Sequence, residues 1–508
     1  MSHVETPRPQ PLWLLVFLQG GVSASSLIVE IVAGRMIAPY VGMSLYTWTA
    51  IIAVVLAGFS VGHWWGGRIA GLDTARALRR AGWTMIAAAL ATAGASLLLR
   101  GLAGPVLQSI HHPLAAITTI TLLAFFLPSL FAGVPAPILT VAAMRGRDRA
   151  EHALGVMFAT GAVGAIAGTL LAGFAFVPLL GSIATLLVVA GVYAVVAFAC
   201  FWLGNSQLKE TLRAGLGLGA MLLVGANALA LSSVCDRESS YYCIRTVALS
   251  DDPADPVRLM VVDHLAHGIS GARDPRVMYT DHAAMLEALP RMRMGQRAFS
   301  SFHIGGGSYS VPRAWQDRGL TDITVAEIDP EITRAARQQF WYTPGKTRIL
   351  HQDARVALRA STARYDVIVG DAFTDIAVPE HLVTRDFFQL VAARLAPGGV
   401  YAMNLIDSAD RLDALAAMVV TLRSVFPSVE VWTEARPPEP GERRVFVILG
   451  GDVDSPVSAI TARSPEPMRF QPLAPSFLDD IITRKHPPVL TDDFAPLSYL
   501  MGFDPVLN

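Results

Sequence analysis

The 508-residue chain changes character near residue 235. Upstream, apolar residues run in long stretches broken by short loops. Downstream, short apolar strands alternate with helical segments. One globular core cannot serve both patterns. The first half has too few charges to cover a water-facing surface, and the second has too many to sit in hydrocarbon. The overall composition is 53% hydrophobic and only 16% charged, where a soluble domain carries about 25% charged residues. The formal net charge of −1 offers no basic face, so no nucleic-acid partner is expected.

A membrane-spanning helix needs about 20 mainly apolar residues. Seven stretches meet this, at roughly 12–38, 45–70, 82–104, 113–144, 153–178, 182–204 and 215–234. The apolar run from Leu12 is too long for a cleaved leader and reads as the first span. Pro128, Pro135 and Pro137 predict a kinked or partly re-entrant fourth segment. In the fifth, Gly161 to Ala165 and Gly164 to Gly168 have the small-xxx-small spacing of closely packed helices. Glu30, Arg35 and His63 are ionisable residues inside spans. Each is a functional candidate, set against mutual neutralisation or a place near a helix end.

Basic residues cluster in three loops: Arg68, Arg76, Arg79 and Arg80; Arg145, Arg147 and Arg149; Lys209 and Arg213. All three fall on the cytoplasmic side if the N-terminus does. Seven crossings would then put the C-terminal part outside the cytoplasm, whereas nucleotide chemistry favours the cytoplasm. Of the three cysteines, Cys235 and Cys243 flank the junction, either as a disulfide outside the cytoplasm or as two buried thiols. No Cys/His metal spacing exists, and no metal is expected. The expected domains are 1–234, a transmembrane helical part; 235–297, a small β unit; and 298–508, an α/β domain.

Beyond Tyr241–Leu249 and Val257–Val262, strand candidates fall at 298–304, 322–328, 347–351, 365–370, 399–405, 428–433 and 444–450. Helices are expected at 310–318, 330–340, 353–360, 384–396 and 409–425. This alternation predicts a Rossmann-like, mostly parallel, doubly wound sheet, with ligands bound beyond the carboxyl ends of its strands. Gly305, Gly306 and Gly307 follow the first of these strands and allow close backbone approach. Glu327 ends the second, where a carboxylate can bind both ribose hydroxyls. Asp353 follows the third, placed for an adenine amino group, and Asp371 follows the fourth. Ser308 to Pro312 lack the third glycine of a dinucleotide turn. A nucleoside without phosphates, such as S-adenosylmethionine, fits better than NAD.

These residues resemble the spermidine synthases, or polyamine aminopropyltransferases, and more closely their membrane-fused members with a front half similar to part of a major-facilitator transporter. The resemblance rests on Ser239–Ile244, Val262–His267, Tyr279-Thr280-Asp281, Ile304–Gly307, Glu327–Pro330, Asp353-Ala354, Asp371-Ala372-Phe373 and Thr491–Pro496. It implies transfer of an aminopropyl group from decarboxylated S-adenosylmethionine to putrescine or a similar amine, with release of 5′-methylthioadenosine. It also implies site roles. Gly305, Gly306, Gly307, Glu327, Asp353, Ala354, Tyr242 and His267 would bind the nucleoside. Tyr279, Asp281 and Ser308 would face the amine, and Asp371 and Asp375 would be catalytic. A bilayer and a homodimer are the expected larger partners.

The chain departs from the family pattern on the amine side. Ser308 stands where soluble members carry an aspartate. Asp371-Ala372-Phe373-Thr374-Asp375 shifts their second acid by one position, and Tyr242 and His267 replace glutamines. Two alternatives therefore stand beside aminopropyl transfer. One is a lyase or methyltransferase using S-adenosylmethionine itself; the other is a transporter or sensor that binds an adenosyl ligand.

Overall fold

A computed structural model describes residues 10–231, 233–372 and 378–501. It divides into two compact units, Met1–Cys243 and Ile244–Leu507. Near the division, Cys243 is tied by a disulfide to Cys235.

The first unit is helical: α1 (Leu12–Val41), α2 (Leu45–Ala70), α3 (Thr74–Ser109), α4 (Pro113–Gly133), α5 (Pro135–Met144), α6 (Ala150–Leu171), a π-helical turn at Ala172–Phe176, α7 (Val177–Leu203) and α8 (Leu208–Ala230). Among the described residues, six helical runs are long and apolar enough to cross a membrane. The fifth, Ala150–Leu203, holds 54 residues and contains two of the seven expected stretches. Gly181 breaks it, with φ +78 and ψ 169. The expected kink in the fourth stretch lies at Val134, where α4 ends and Pro135 opens α5. Small residues let backbones touch. A Cβ at Gly164 would collide with the Gly20 carbonyl, and one at Gly168 with that of Ala24, so α1 and α6 pack through the predicted glycines. Gly62 and Gly66 of α2 do the same against the carbonyls of Leu130 and Val134.

Two polar residues pin the segment that follows α8. Arg35 donates to the carbonyls of Ser239, at 2.6 Å, and of Tyr241. Glu238 accepts from the Ser182 N–H at 3.0 Å and from the Ser182 hydroxyl, capping the helix where it restarts after Gly181. Arg35 therefore holds the loop around Ser239 and Tyr241.

After the short strand β1 (Arg237–Glu238), the second unit opens with an antiparallel meander of β2 (Cys243–Ala248), β3 (Val257–Val262) and β4 (Leu265–Gly271). Helix α9 (Asp281–Met294) follows. The main sheet comprises β5 (Ser301–Ile304), β6 (Ile323–Ala326), β7 (Arg348–Leu350), β8 (Tyr365–Gly370), β9 (Leu395–Ser408), β10 (Ser428–Glu434), β11 (Arg443–Gly451), β12 (Ile460–Ala462) and β13 (Met468–Pro472). Between them run α10 (Ser310–Asp317), α11 (Pro330–Gln339), α12 (Ala354–Ala360), α13 (Arg385–Arg394) and α14 (Asp413–Arg423). The order is β12-β13-β10-β11-β9-β8-β5-β6-β7.

The sheet is mixed rather than mostly parallel. β7-β6-β5-β8-β9 pair in parallel, and β11, β10, β13 and β12 add in antiparallel fashion. The strand order reverses between β5 and β8, the point at which such sheets open a ligand crevice.

Candidate active site

The crevice is built at that reversal. Gly305 leaves β5 with φ +91, and a Cβ there would collide with the Asp371 carbonyl at the end of β8. The Asp371 N–H in turn donates to the Ile304 carbonyl at 3.0 Å. A side chain at 305 would thus force the two strand ends apart. Behind the turn, Tyr309 is fully buried against Gly306, bonds the Thr333 hydroxyl at 2.7 Å and stacks on Tyr342 at 4.3 Å. This support is not legible in the sequence, because Tyr309, Thr333 and Tyr342 come from separate parts of the chain.

Glu327 ends β6 and is 6% exposed. One carboxylate oxygen accepts the Gly306 N–H at 2.8 Å, and the other accepts the Asp329 N–H at 2.9 Å. The turn and the carboxylate therefore fix each other. Burial pushes this carboxyl up to about 7 despite those donors. A carboxylate offers about four acceptor sites, so capacity remains beside these N–H donors for a ribose hydroxyl.

Asp353 caps α12 by accepting the Val356 N–H at 2.9 Å, and its other oxygen meets His381 Nε2 at 2.7 Å. Ala354 is buried beside it. Arg355 pairs with Asp492 at 2.6 Å, and Asp492 also accepts the Thr384 hydroxyl at 2.7 Å. Those two donors hold the Asp492 carboxyl down at about 2. The Thr491–Pro496 motif is thereby tied to the helix that carries Asp353.

On the other side, β4 lies over the glycine turn. A Cβ at Gly307 would stand 2.9 Å from the His267 carbonyl, and one at Gly268 would strike the Ser308 hydroxyl. Ser308 is 2% exposed, with the Ser270 hydroxyl 3.5 Å away. It is packed against Gly268 of β4. The Tyr279 hydroxyl lies against Gly271 at the end of β4. Burial raises its phenol, and burial followed by the Glu434 charge raises the Asp281 carboxyl at the start of α9. The His267 ring sits 3.2 Å from the Leu265 carbonyl. Tyr242 belongs to the first unit, where its N–H donates to the Ser239 hydroxyl at 2.8 Å. Asp375 lies outside the described residues.

Asp371 accepts a hydrogen bond from Asn404 Nδ2 at 3.0 Å. Asn404 and His381 are site partners that the sequence reading missed. Each becomes visible only through contact with a strand-end acid that is remote in the chain. No cluster of three or more metal-ligating side chains occurs among the described residues.

Comparison with known proteins agrees with this geometry. Residues 303–455 match the family described as Spermine/spermidine synthase domain. An N-terminal histidine N-methyltransferase of Emericella nidulans is 30% identical over 263 residues, covering 47% of this chain and 45% of its own length. A polyamine aminopropyltransferase of Vibrio vulnificus is 33% identical over 151 residues, covering 29% of this chain and 49% of its own. Polyamine aminopropyltransferase 2 of Streptomyces coelicolor is 28% identical over 348 residues, covering 63% of this chain and 62% of its own. The chain spans about half the length of the first two of these relatives.

The fold and the site define an α/β domain with a crevice of strand-end acids around a glycine turn. The chain's C-terminal part is similar to spermidine synthase domains over residues 303–455.

Proposed function

We propose that this chain transfers an aminopropyl group from decarboxylated S-adenosylmethionine to putrescine or a similar amine, making spermidine and 5′-methylthioadenosine. The observation that carries this reading is the set of three strand-end acids, Glu327, Asp353 and Asp371, around a glycine turn pressed against the end of β8. Glu327 would take the ribose hydroxyls and Asp353 the adenine amino group. Asp371 stands across the glycine turn from them.

In the reaction, the amine nitrogen forms a bond to the aminopropyl carbon as the carbon–sulfur bond breaks. The electron pair goes to sulfur, which leaves as a neutral thioether. A sulfonium is already a good leaving group, so the demand on the protein lies elsewhere. An alkylammonium with an ordinary pKa near 10 must give up a proton before it can attack. Asp371 would bind that cation and receive the proton, and positioning provides much of the remaining rate. Purified full-length chain given both substrates should form spermidine and methylthioadenosine in equal amounts. Methylthioadenosine without spermidine would refute transfer.

A second reading is supported by Ser308, which puts no acid where soluble family members bind the aminopropyl amine, and by the relative named a methyltransferase. On that reading the same crevice takes intact S-adenosylmethionine.

We also propose that the helical half is embedded in the inner cell membrane with a cytoplasmic N-terminus. Counting the run broken at Gly181 as two crossings would give seven, and the three basic loops would then share the cytoplasmic side. Seven crossings bring the chain out on the opposite face, and the Cys235–Cys243 disulfide suits an oxidising compartment. These two observations outweigh the expectation of a cytoplasmic catalytic domain. An alkaline phosphatase fusion after residue 501 should be active and a green fluorescent protein fusion dark; the reverse pattern would overturn this topology.

A further inference from the structure

Asn404 is a polar side chain in the middle of the sheet, 3% exposed, on a strand flanked by β8 on one side and β11 on the other. Its neighbours Met403 and Leu405 point into the apolar core, so Asn404 faces the opposite side of the sheet. Only one end of its amide is satisfied. Nδ2 donates to Asp371 Oδ1 at 3.0 Å, and Oδ1 is buried without a hydrogen-bond partner. An apolar residue would avoid the cost of a half-satisfied buried amide. The orientation is dictated by Asp371, since turning the amide over would set its oxygen against the carboxylate.

We propose that Asn404 is the positioning residue for Asp371, an inference that rests on the aminopropyl-transfer reading. Its amide occupies Asp371 Oδ1 and fixes the plane of the carboxylate. That leaves Oδ2 as the oxygen that meets the amine. Register makes this possible: β8 and β9 run in parallel with Gly370 opposite Met403, so the next residues, Asp371 and Asn404, emerge side by side. A neutral donor here also keeps a single negative charge at the reacting end. An acid at 404 would create two carboxylates within hydrogen-bond distance, which titrate as a coupled pair.

The test compares wild type, N404A and the near-isosteric N404D, each as full-length chain. Three quantities are read: methylthioadenosine affinity by calorimetry, putrescine affinity of the methylthioadenosine-loaded protein, and the pH profile of kcat. The expected result for N404A is methylthioadenosine affinity within about twofold of wild type, with kcat lowered roughly 10- to 100-fold, the size associated with a misplaced reacting group. In N404D the acidic limb of the profile moves to higher pH by about one unit. Unchanged kcat in N404A together with an unmoved limb in N404D overturns the inference and leaves the transfer reading standing. A wild type that binds methylthioadenosine but neither binds putrescine nor turns over overturns both.

Discussion

The two ends of the crevice differ in how much of the protein holds them. At the nucleoside end, Glu327 is clamped by two backbone N–H groups, and Asp353 is engaged by a helix N-terminus and by His381. At the end proposed for the amine, Asp371 has, among the described residues, one side-chain hydrogen bond, from Asn404, and Ser308 is buried. A ligand shared across a family calls for fixed donors and acceptors, and backbone groups at strand ends provide them cheaply. A variable acceptor is met by side chains that can be exchanged singly. On the proposed reading, the departures at Ser308 and after Asp371 fall at the amine end.

The largest effect that separates the two ends is expected at Asp371. D371N should lower turnover by roughly 10²- to 10⁴-fold, the range for loss of a proton acceptor, while methylthioadenosine affinity measured by calorimetry stays near wild type. Equal loss of both would merge the two ends into one site. Next comes E327A, which removes a buried acceptor and should weaken methylthioadenosine binding roughly 10- to 100-fold, equivalent to about 1–3 kcal/mol.

A pH dependence follows with a definite sign. The unliganded Glu327 carboxyl titrates at about 7, and hydroxyl donors from a ribose favour its ionised form, lowering that value in the complex. Affinity should therefore rise with pH up to about 7 and level off above it, with protons released on binding below that pH. Calorimetry in buffers of different ionisation enthalpy checks this, and E327Q should abolish the proton release. The same burial makes the unliganded domain lose stability as pH rises from about 4.5 to about 7, because the unfolded chain gives up its proton first.

Smaller effects separate structural from binding roles at Asp353. D353A should cost about 1 kcal/mol of stability through the lost cap, while D353N retains the cap and loses only the charge. Thermal melts and methylthioadenosine titrations of the two variants distinguish these contributions. The least effect is expected from S308A, within about twofold in turnover, since that hydroxyl is buried against Gly268. A large loss there would show that the amine end retains a direct contact at this position.

Much of this architecture was legible in the sequence because local signals agreed with the final fold. Val257–Val262 and Tyr365–Gly370 match their expected bounds, and the acids at 327, 353 and 371 stand at strand ends, where the alternation put them. Other features depended on long-range pairing. The antiparallel attachment of β10 and β11 cannot be told from parallel pairing by periodicity, since both carry buried apolar runs. Helix α9 was missed because Pro290 lies within it and its apolar face is nearly continuous. Asn404 was invisible for a different reason: a lone asparagine in a strand acquires meaning only from the acid that emerges beside it.

The most direct measurement is methylthioadenosine release, by mass spectrometry, from the purified full-length chain. It is supplied with decarboxylated S-adenosylmethionine or with S-adenosylmethionine, each with and without putrescine. Release only from the decarboxylated substrate plus putrescine, matched by spermidine, is the predicted result. Release from S-adenosylmethionine without any amine, or from no mixture at all, would contradict it.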